Sequence, residues 1–442
     1  MMRIDNAWRT LVWSVALIVL FTACSSNDES KVFVPTPKSV EINFGVAESV
    51  NYLELGDDPT YSVKGEVPEW LTITLEEFEG ANRLKLVVTA NGDDEDRVAN
   101  FEIVTSKQVY QVSILQTSVS QRGLYILSEG NWKAKQSDIA YYDVTNDKLH
   151  TGYFSEVNGR NLGDVGNDII IYGSKMYCLV SEQNPGTNDG VIEVIDPKTC
   201  KSIKQIPFVV DREKGIQDIP RRFVFEDGKG YITGFGGFVA RLDTVSLEID
   251  AVAPLEGDNL KSEGITVYKN NLYIANSGYG EGTTVSVVDK RAMKELHKIE
   301  VPTNPVNILA VGDDIYLQTS MTSTPANLHI LNPITEKVVH TFDVGASKLA
   351  LNGDYLYTGT MNWSTFEDEI YQINAKTKEV TPFSIDPDDI TSVYSFDVNS
   401  VTNELYIGSM GDDVVILNDK REVTKKFNVS IPFISRVVPV AW

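Results

Sequence analysis

From residue 123 onward the chain repeats itself. A tyrosine preceded by Leu, Ile, Met or Gly recurs inside short apolar runs: GLYILSE, KMYCLVS, KGYITGF, NLYIANS, DIYLQTS, YLYTGTM and ELYIGSM. The tyrosines are Tyr125, Tyr177, Tyr231, Tyr273, Tyr316, Tyr357 and Tyr406, at spacings of 52, 54, 42, 43, 41 and 49 residues. A second marker follows each one, an apolar residue and then Asp or Asn at the head of a turn: Asp143, Asp196, Asp243, Asp289, Asn332, Asn374 and Asn418. Short polar side chains at such positions hydrogen-bond the backbone N–H groups of the turn that follows. We therefore read all seven as structural.

Upstream of six of the tyrosines lies a further apolar run: NDIIIYG, RRFVFED, EGITVYK, VNILAVG, KLALNGD and YSFDVNS. The first unit has none. The chain instead ends in SRVVPVAW, which has the length and character of the missing run. Units of about 40 to 50 residues with four strands are the blades of a β-propeller. The pattern predicts seven meanders of strands A to D, with the tyrosine on B and the Asp or Asn closing C. The C-terminal strand, Ser435 to Trp442, then serves as the innermost strand of the first blade and covers its sheet edge. An open solenoid would need capping repeats, and the sequence offers no candidate for them.

In a meander the A-to-B and C-to-D turns fall on one face, and the B-to-C and D-to-A connections on the other. The A-to-B turns are tight, with strong hairpin signals at Asp227-Gly228 and Asn352-Gly353. The B-to-C loops are longer, among them SEGNWKAKQSD, NSGYGEG, TSMTSTPAN and GTMNWSTFED. These loops carry Trp132, Phe235, Tyr279, Met321, Met361, Trp363 and Met410 among Asn, Ser, Gly and Thr, with Asn276 heading the fourth loop. Binding residues concentrate on loops held by a rigid scaffold. Amphipathic rings beside amides and hydroxyls suit a ligand with apolar faces and a polar rim. The alternative is that the rings fill the mouth of the central channel; binding is our expectation for the ring of loops as a whole.

Four histidines test for catalysis. His150, His297 and His340 fall on D strands at the outer rim and His329 on a C strand, so none reaches the loop face to serve as general base or metal ligand. Glu129 and Glu182 could form a carboxylate pair, but nothing in the sequence sets their separation. Asp386, Asp388 and Asp389 read as a solvated turn rather than a calcium loop. No enzyme, cofactor or metal site is expected. The chain has 62 acidic against 39 basic residues, a formal charge of −23, which repels nucleic acid.

At the N-terminus, Arg3 and Arg9 precede an apolar run from Leu11 to Ala23. That run is too short to span a bilayer, which takes about 20 residues, and reads as a secretory signal. Cys178 and Cys200 show no metal spacing. We expect both on strands that are not neighbours, too far apart to bridge, as buried thiols. Residues 33 to 117 alternate with the period of strands, as at Leu84, Leu86 and Val88. Asn91-Gly92 reads as a hairpin turn, with the acidic run Asp93 to Asp96 at its tip.

Several motifs resemble known families. LFTAC resembles a bacterial lipobox, which makes Cys24 the lipidated first residue of the mature chain. The polar, acidic SSNDES behind it is similar to the segment that sends Bacteroidetes lipoproteins to the outer face of the outer membrane. PEWLTITL, NRLKLVVTAN, DRVANFEIVT and YQVSILQT resemble a BACON domain. That resemblance implies an immunoglobulin-like sandwich, which we read as a spacer with Trp70 in its core. LYILSEGNW, VNGRNLGDVGNDI and NLYIANSG…VSVVD resemble the YncE-like seven-bladed propeller lipoproteins of Bacteroidetes. One branch, the BtuG vitamin B12-capture lipoproteins, implies cobalamin or a related corrinoid held on the loop face and passed to a TonB-dependent transporter. The same resemblance offers Asn131, Trp132, Arg160, Asn161 and Asn167 as further ligand contacts. The N-terminal BACON-like segment departs from that branch, so a glycan or protein ligand within a nutrient-uptake complex stays open.

The expected chain is thus all-β. It comprises a signal peptide (1–23), an acidic linker (24–32), a small Ig-like β-sandwich (33–117) and a seven-bladed β-propeller closed by the C-terminal strand (118–442). It is expected to be a monomer that touches the membrane only through its lipid.

Overall fold

The computed structural model describes residues 36–118, 122–211, 213–320, 327–345, 348–361 and 368–441. The leader, Cys24, the linker 24–32, Met321, Trp363, Trp442 and the side chain of Met361 lie outside the described residues. Among those described the chain is all-β and propeller-like in its repeats, and residues 37–442 group into one compact unit.

Within 122–441, seven four-stranded antiparallel sheets follow one another, each a simple meander among the described residues. The inner strands of sheets two to seven are Gly166–Tyr172, Pro220–Glu226, Ser262–Tyr268, Pro305–Val311, Lys348–Asn352 and Val393–Val398. The inner strand of the first sheet is Ile434–Ala441, which pairs antiparallel with Arg122–Ser128. Inner strands touch their neighbours in sequence, and Ile434–Ala441 touches both Gly166–Tyr172 and Val393–Val398, so the series closes on itself. The terminal strand thereby covers the edge that Leu124, Tyr125 and Ile126 would otherwise expose.

The two repeated markers explain how the sheets are built and joined. All seven tyrosines lie on second strands and are at most 3% exposed. Several reach the neighbouring sheet. Tyr125 Oη donates to Pro197 O (2.8 Å), Tyr316 Oη donates to Ala375 O (3.3 Å) and accepts from Lys378 Nζ (2.9 Å), and Tyr357 Oη accepts from Arg421. The tyrosine is therefore a stitch between sheets as well as a core side chain. Each Asp or Asn marker does what its turn requires. Asp243 Oδ1 accepts from the N–H of Val245 and Ser246, Asp289 from Arg291 and Ala292, Asn332 from Ile334 and Thr335, and Asn374 from Lys376 and Thr377. Asp143, Asp196 and Asn418 accept in the same way.

Residues 38–116 form two further sheets, one of four strands and one of three, around a shared core that includes Phe44, Leu84, Leu86, Val88, Ile103 and Ile114. Trp70 packs against that core. Asn91-Gly92 is not a hairpin turn. The strands on either side, Ala81–Val88 and Arg97–Val104, belong to different sheets. The buried Asn91 ties down this crossover instead, its Nδ2 donating to Glu95 O (3.0 Å) and Thr117 O (2.9 Å).

These N-terminal sheets pack on the tight-turn face of the repeats. Arg83 is buried between the Tyr52 and Phe78 rings, pairs with Glu76 (2.5 Å) and donates to Asp227 O (2.7 Å). Glu79 pairs with Arg241 (2.6 Å), and Asn51 Nδ2 donates to Ser174 Oγ (3.0 Å). Gly228 is required at the contact. Its φ is +80°, and a Cβ there would sit 2.9 Å from the Tyr52 ring.

Cys178 and Cys200 are buried free thiols, as expected. Their placement differs from expectation: Cys178 lies on Lys175–Val180, but Cys200 is not on a strand. It closes the turn after Val191–Ile195 of the same sheet, at φ +57°, with its N–H on Asp196 O (2.8 Å). The apolar thiol fills the core beneath that turn, which is why a turn position looks like a strand position in the sequence. A six-residue helix, Tyr153–Asn158, follows the outermost strand of the first sheet and is seated by the fully buried Phe154.

Candidate functional site

The loop face and the axis beneath it hold the polar groups that the repeats do not use structurally. Six of the seven inner strands carry a register shift near their start, between Gly166 and Asp168, Pro220 and Phe223, Ser262 and Ile265, Pro305 and Asn307, Val393 and Ser395, and Ile434 and Arg436. A bulge bends the strand and re-aims a side chain. Here the bulges bring Asn167, Arg221 and Glu263 into a linked set, and Tyr394 stands on a fourth bulge. Arg221 holds Glu263 with two bonds (2.9 and 3.1 Å) and donates to Asn167 Oδ1 (2.9 Å). Tyr394 Oη donates to Glu129 Oε2 (2.9 Å), at the start of the first long loop. Burial and then the Glu129 carboxylate hold the Tyr394 phenol well above its ordinary range.

Deeper on the axis, Arg436 bridges two sheets. Its guanidinium pairs with Asp168 Oδ1 (2.7 Å) on one side and Asp397 Oδ1 (2.8 Å) on the other. A cavity of about 300 Å³ opens beside this triad, with Arg222 and Lys348 in its wall.

Around the mouth, a short loop carrying Phe235 meets the longer loop of Tyr279. Phe235 and Tyr279 lie edge to face, ring centroids 6.3 Å apart. Phe235 is fixed from below: its N–H bonds Ile219 O (2.8 Å), and Asp218 accepts from the next N–H, that of Gly236 (2.8 Å). Lys261 Nζ and the Arg221 guanidinium lie over the Phe235 ring at 4.6 and 5.3 Å. Tyr279 sits at φ +57°, unusual for a bulky residue, yet its ring is 80% exposed. The surrounding loop is pinned. Gly280 and Gly282 N–H bond Ser277 O (2.9 and 2.8 Å), Gly278 N–H bonds Leu260 O (2.8 Å), and Ser277 Oγ accepts from Tyr279 N–H (3.3 Å). The scaffold thus holds an aromatic side chain outward in a strained conformation.

The other expected contacts divide clearly. Trp132 is 74% exposed, with Lys133 Nζ 4.1 Å from its ring centroid, and Asn131 beside it is exposed. Asn161 is exposed and donates to Lys135 O (3.2 Å). Arg160 instead turns to the buried Glu193 (2.6 Å) and to Ser202 Oγ (3.1 Å), between the outer strands of its sheet. Asn167, 2% exposed, spends its amide on Ser181 Oγ, Pro220 O and Arg221. Asn276, 1% exposed, is held by Ser262, Thr284 and Ser286. Met361 and Trp363 fall outside what is described, Met361 by its side chain. Glu182 binds the N–H groups of Gly186 and Asn188 in its own loop (2.6 and 2.9 Å) and does not pair with Glu129.

Sequence reasoning missed Arg221, Arg222, Glu263, Lys348, Tyr394, Asp397 and Arg436. They are spread over five inner strands, and only ring closure gathers them. The matching positions of the inner strands, taken together across the repeats, are the signal that could have found them.

A family described as a domain of unknown function, DUF5074, matches residues 122–429. The chain belongs to the DUF5074 family. The match covers the repeats and leaves out the N-terminal sheets and the closing strand of this DUF5074 protein. No curated protein matches it. Among solved structures, Kuenenia stuttgartiensis hydrazine synthase is similar to it at 14% identity and a TM-score of 0.49, over 61% of this chain and 93% of that chain.

Proposed function

We propose that this protein is a non-catalytic binding lipoprotein, a seven-bladed β-propeller preceded by a BACON-like spacer and tethered through Cys24 to the outer membrane at the cell surface. Its loop face captures a ligand with broad apolar faces and a polar edge. Cobalamin or a related corrinoid is the proposed ligand and a TonB-dependent transporter the proposed recipient, in keeping with the resemblance of LYILSEGNW and VNGRNLGDVGNDI to YncE-like propeller lipoproteins, of which the vitamin B12-capture proteins are one branch.

The observation that carries this reading is Tyr279. An exposed ring, held at positive φ by a pinned loop and flanked by Phe235, is pre-organised contact area with little side-chain entropy left to lose. Trp132 supplies a second exposed ring. The N-terminal sheets pack on the opposite face, which supports a loop face left free for its ligand.

Titration of the purified protein with cyanocobalamin tests the ligand. Saturable binding by the wild type that Tyr279→Ala and Trp132→Ala each weaken supports the reading. Absence of heat and of any spectral change removes cobalamin, and a glycan array or pull-down that engages the same two side chains would favour the glycan or protein alternative. For the anchor, Cys24→Ser should abolish incorporation of labelled palmitate, and retained label would refute lipidation at that residue.

A further inference from the structure

The axial cavity carries a charge imbalance that the loop-face reading does not use. Its wall includes three cations, Arg222, Lys348 and Arg436, and two carboxylates, Asp168 and Asp397. Both carboxylates are already engaged. Arg436 holds one on each side, Val437 N–H also bonds Asp397 (2.7 Å), and Ile169 N–H bonds Asp168 (3.0 Å). The carboxylates nearer the mouth are engaged too, Glu263 by Arg221 and Glu129 by Tyr394.

Arg222 and Lys348 have no such partner. Among the described residues Arg222 donates only to the backbone carbonyls of Asn167 and Arg221, and no carboxylate pairs with it. The Lys348 ammonium makes no hydrogen bond or ion pair among the described residues; it lies 4.7 Å from the centroid of the Tyr394 ring. Desolvation first, and then repulsion from the Arg222 guanidinium, pull the Lys348 ammonium down to about 8, against the opposing pull of Glu129 and Asp168. Two unpaired, half-buried cations lining one cavity favour an anion between them. A chain of formal charge −23 has no general need of such a place.

We propose that the axial cavity is an anion site, in which a small organic carboxylate or a phosphate monoester bridges the Arg222 guanidinium and the Lys348 ammonium. The planar guanidinium suits the two oxygens of either group. Ile265, Leu309 and Leu351 in the same lining would receive an apolar body, and a volume of about 300 Å³ admits a ligand of small-metabolite size. The inference rests on residues separate from Tyr279 and Trp132, so it stands or falls apart from the corrinoid reading.

Calorimetric titration of the intact protein with butyrate and with inorganic phosphate tests it, at constant ionic strength set by chloride. The wild type should bind at least one of them at pH 7. Lys348→Met and Arg222→Met should each weaken that binding about tenfold or more, the effect of losing a charged hydrogen bond. The wild type alone gives a second readout should either variant fold poorly. Butyrate keeps its charge between pH 7 and 9. The groups facing Lys348 are Arg221, Arg222, Glu129, Asp168, Tyr394, Asp397 and Arg436. At pH 9 about a tenth of Lys348 stays protonated, so butyrate should bind roughly tenfold more weakly than at pH 7. No binding of either anion by the wild type, unchanged affinity in both variants, or butyrate affinity independent of pH would each overturn the proposal.

Discussion

Replacing Arg436 by methionine tests whether the closing strand is locked electrostatically as well as by its backbone ladder. Arg436 sits on the last strand, Asp168 on the inner strand of the next sheet and Asp397 on that of the previous one, so one guanidinium ties three sheets at the seam. Both carboxylates are buried, at 4% and 7% exposure. Removing one partner of a buried ion pair costs about 3–5 kcal/mol, because the remaining charge is left desolvated. The Arg436 side chain keeps 36% of its surface open to the cavity. Water there offsets part of the loss, and we expect Arg436→Met to cost about 2–4 kcal/mol at pH 7.5.

The pH dependence has a definite sign. Burial raises the Asp397 carboxyl, and Arg436 is the main force opposing that rise. Without Arg436 the folded-state value climbs further above the unfolded value of about 3.9. A carboxyl raised in the folded state costs nothing where both states are protonated and costs increasingly as pH climbs from the unfolded toward the folded value. The deficit of the variant should therefore be largest at pH 7.5 and shrink as pH falls toward 4. Urea unfolding of the wild type and variant at pH 7.5, 6 and 4.5, followed by tryptophan fluorescence and circular dichroism, measures it. Adding Asp397→Asn to the variant should recover at least about 1 kcal/mol at pH 7.5. A variant as stable as the wild type, or a deficit identical at all three pH values, would refute the reasoning.

Further outcomes follow from particular side chains. Tyr316→Phe should lose about 0.5–1.5 kcal/mol, since its hydroxyl serves both Ala375 O and Lys378. Tyr177→Phe should be neutral or stabilising in the same urea assay, because the Tyr177 hydroxyl is buried with no partner among the described residues. Arg83→Ala should cost about 2–4 kcal/mol and speed proteolytic release of the N-terminal sheets, because it removes the pair to Glu76 and the bond to Asp227 O together. A chain truncated after Phe433 should elute earlier than the full chain in size-exclusion chromatography, since the strand Arg122–Ser128 becomes an open apolar edge that associates.

The repeat was legible because each marker is tied to a position that only a few residue types fill. A tyrosine is large enough to fill the second strand and long enough to reach the next turn. Asp or Asn is the short acceptor that a tight turn needs. Those constraints recur every 40 to 50 residues or so, so they survive in the sequence as a period. Tyr279 was also legible, as a ring in a Gly- and Ser-rich loop longer than a hairpin needs. Asn167 and Asn276 were misleading for the converse reason. An amide near a loop looks available, but each sits just inside the strand end, where three partners use it up. Asn91-Gly92 misled in the same way, since a turn dipeptide reports the local backbone bend and says nothing of which sheet the next strand joins.

Alone, then, the order of residues determined the repeated strand pattern, its marker turns and the buried tyrosines, which follow from contacts within a unit or between successive ones, and the closure of the first sheet by the last strand, which follows from the one run missing from the count. The axis was decided only in three dimensions. Arg222, Lys348, Asp397 and Arg436 are scattered over more than 200 residues on four different inner strands, and no spacing along the chain marks them as a set. They meet because the ring closes and brings the inner strands side by side. Charge interacts through space, whereas periodicity is written along the chain.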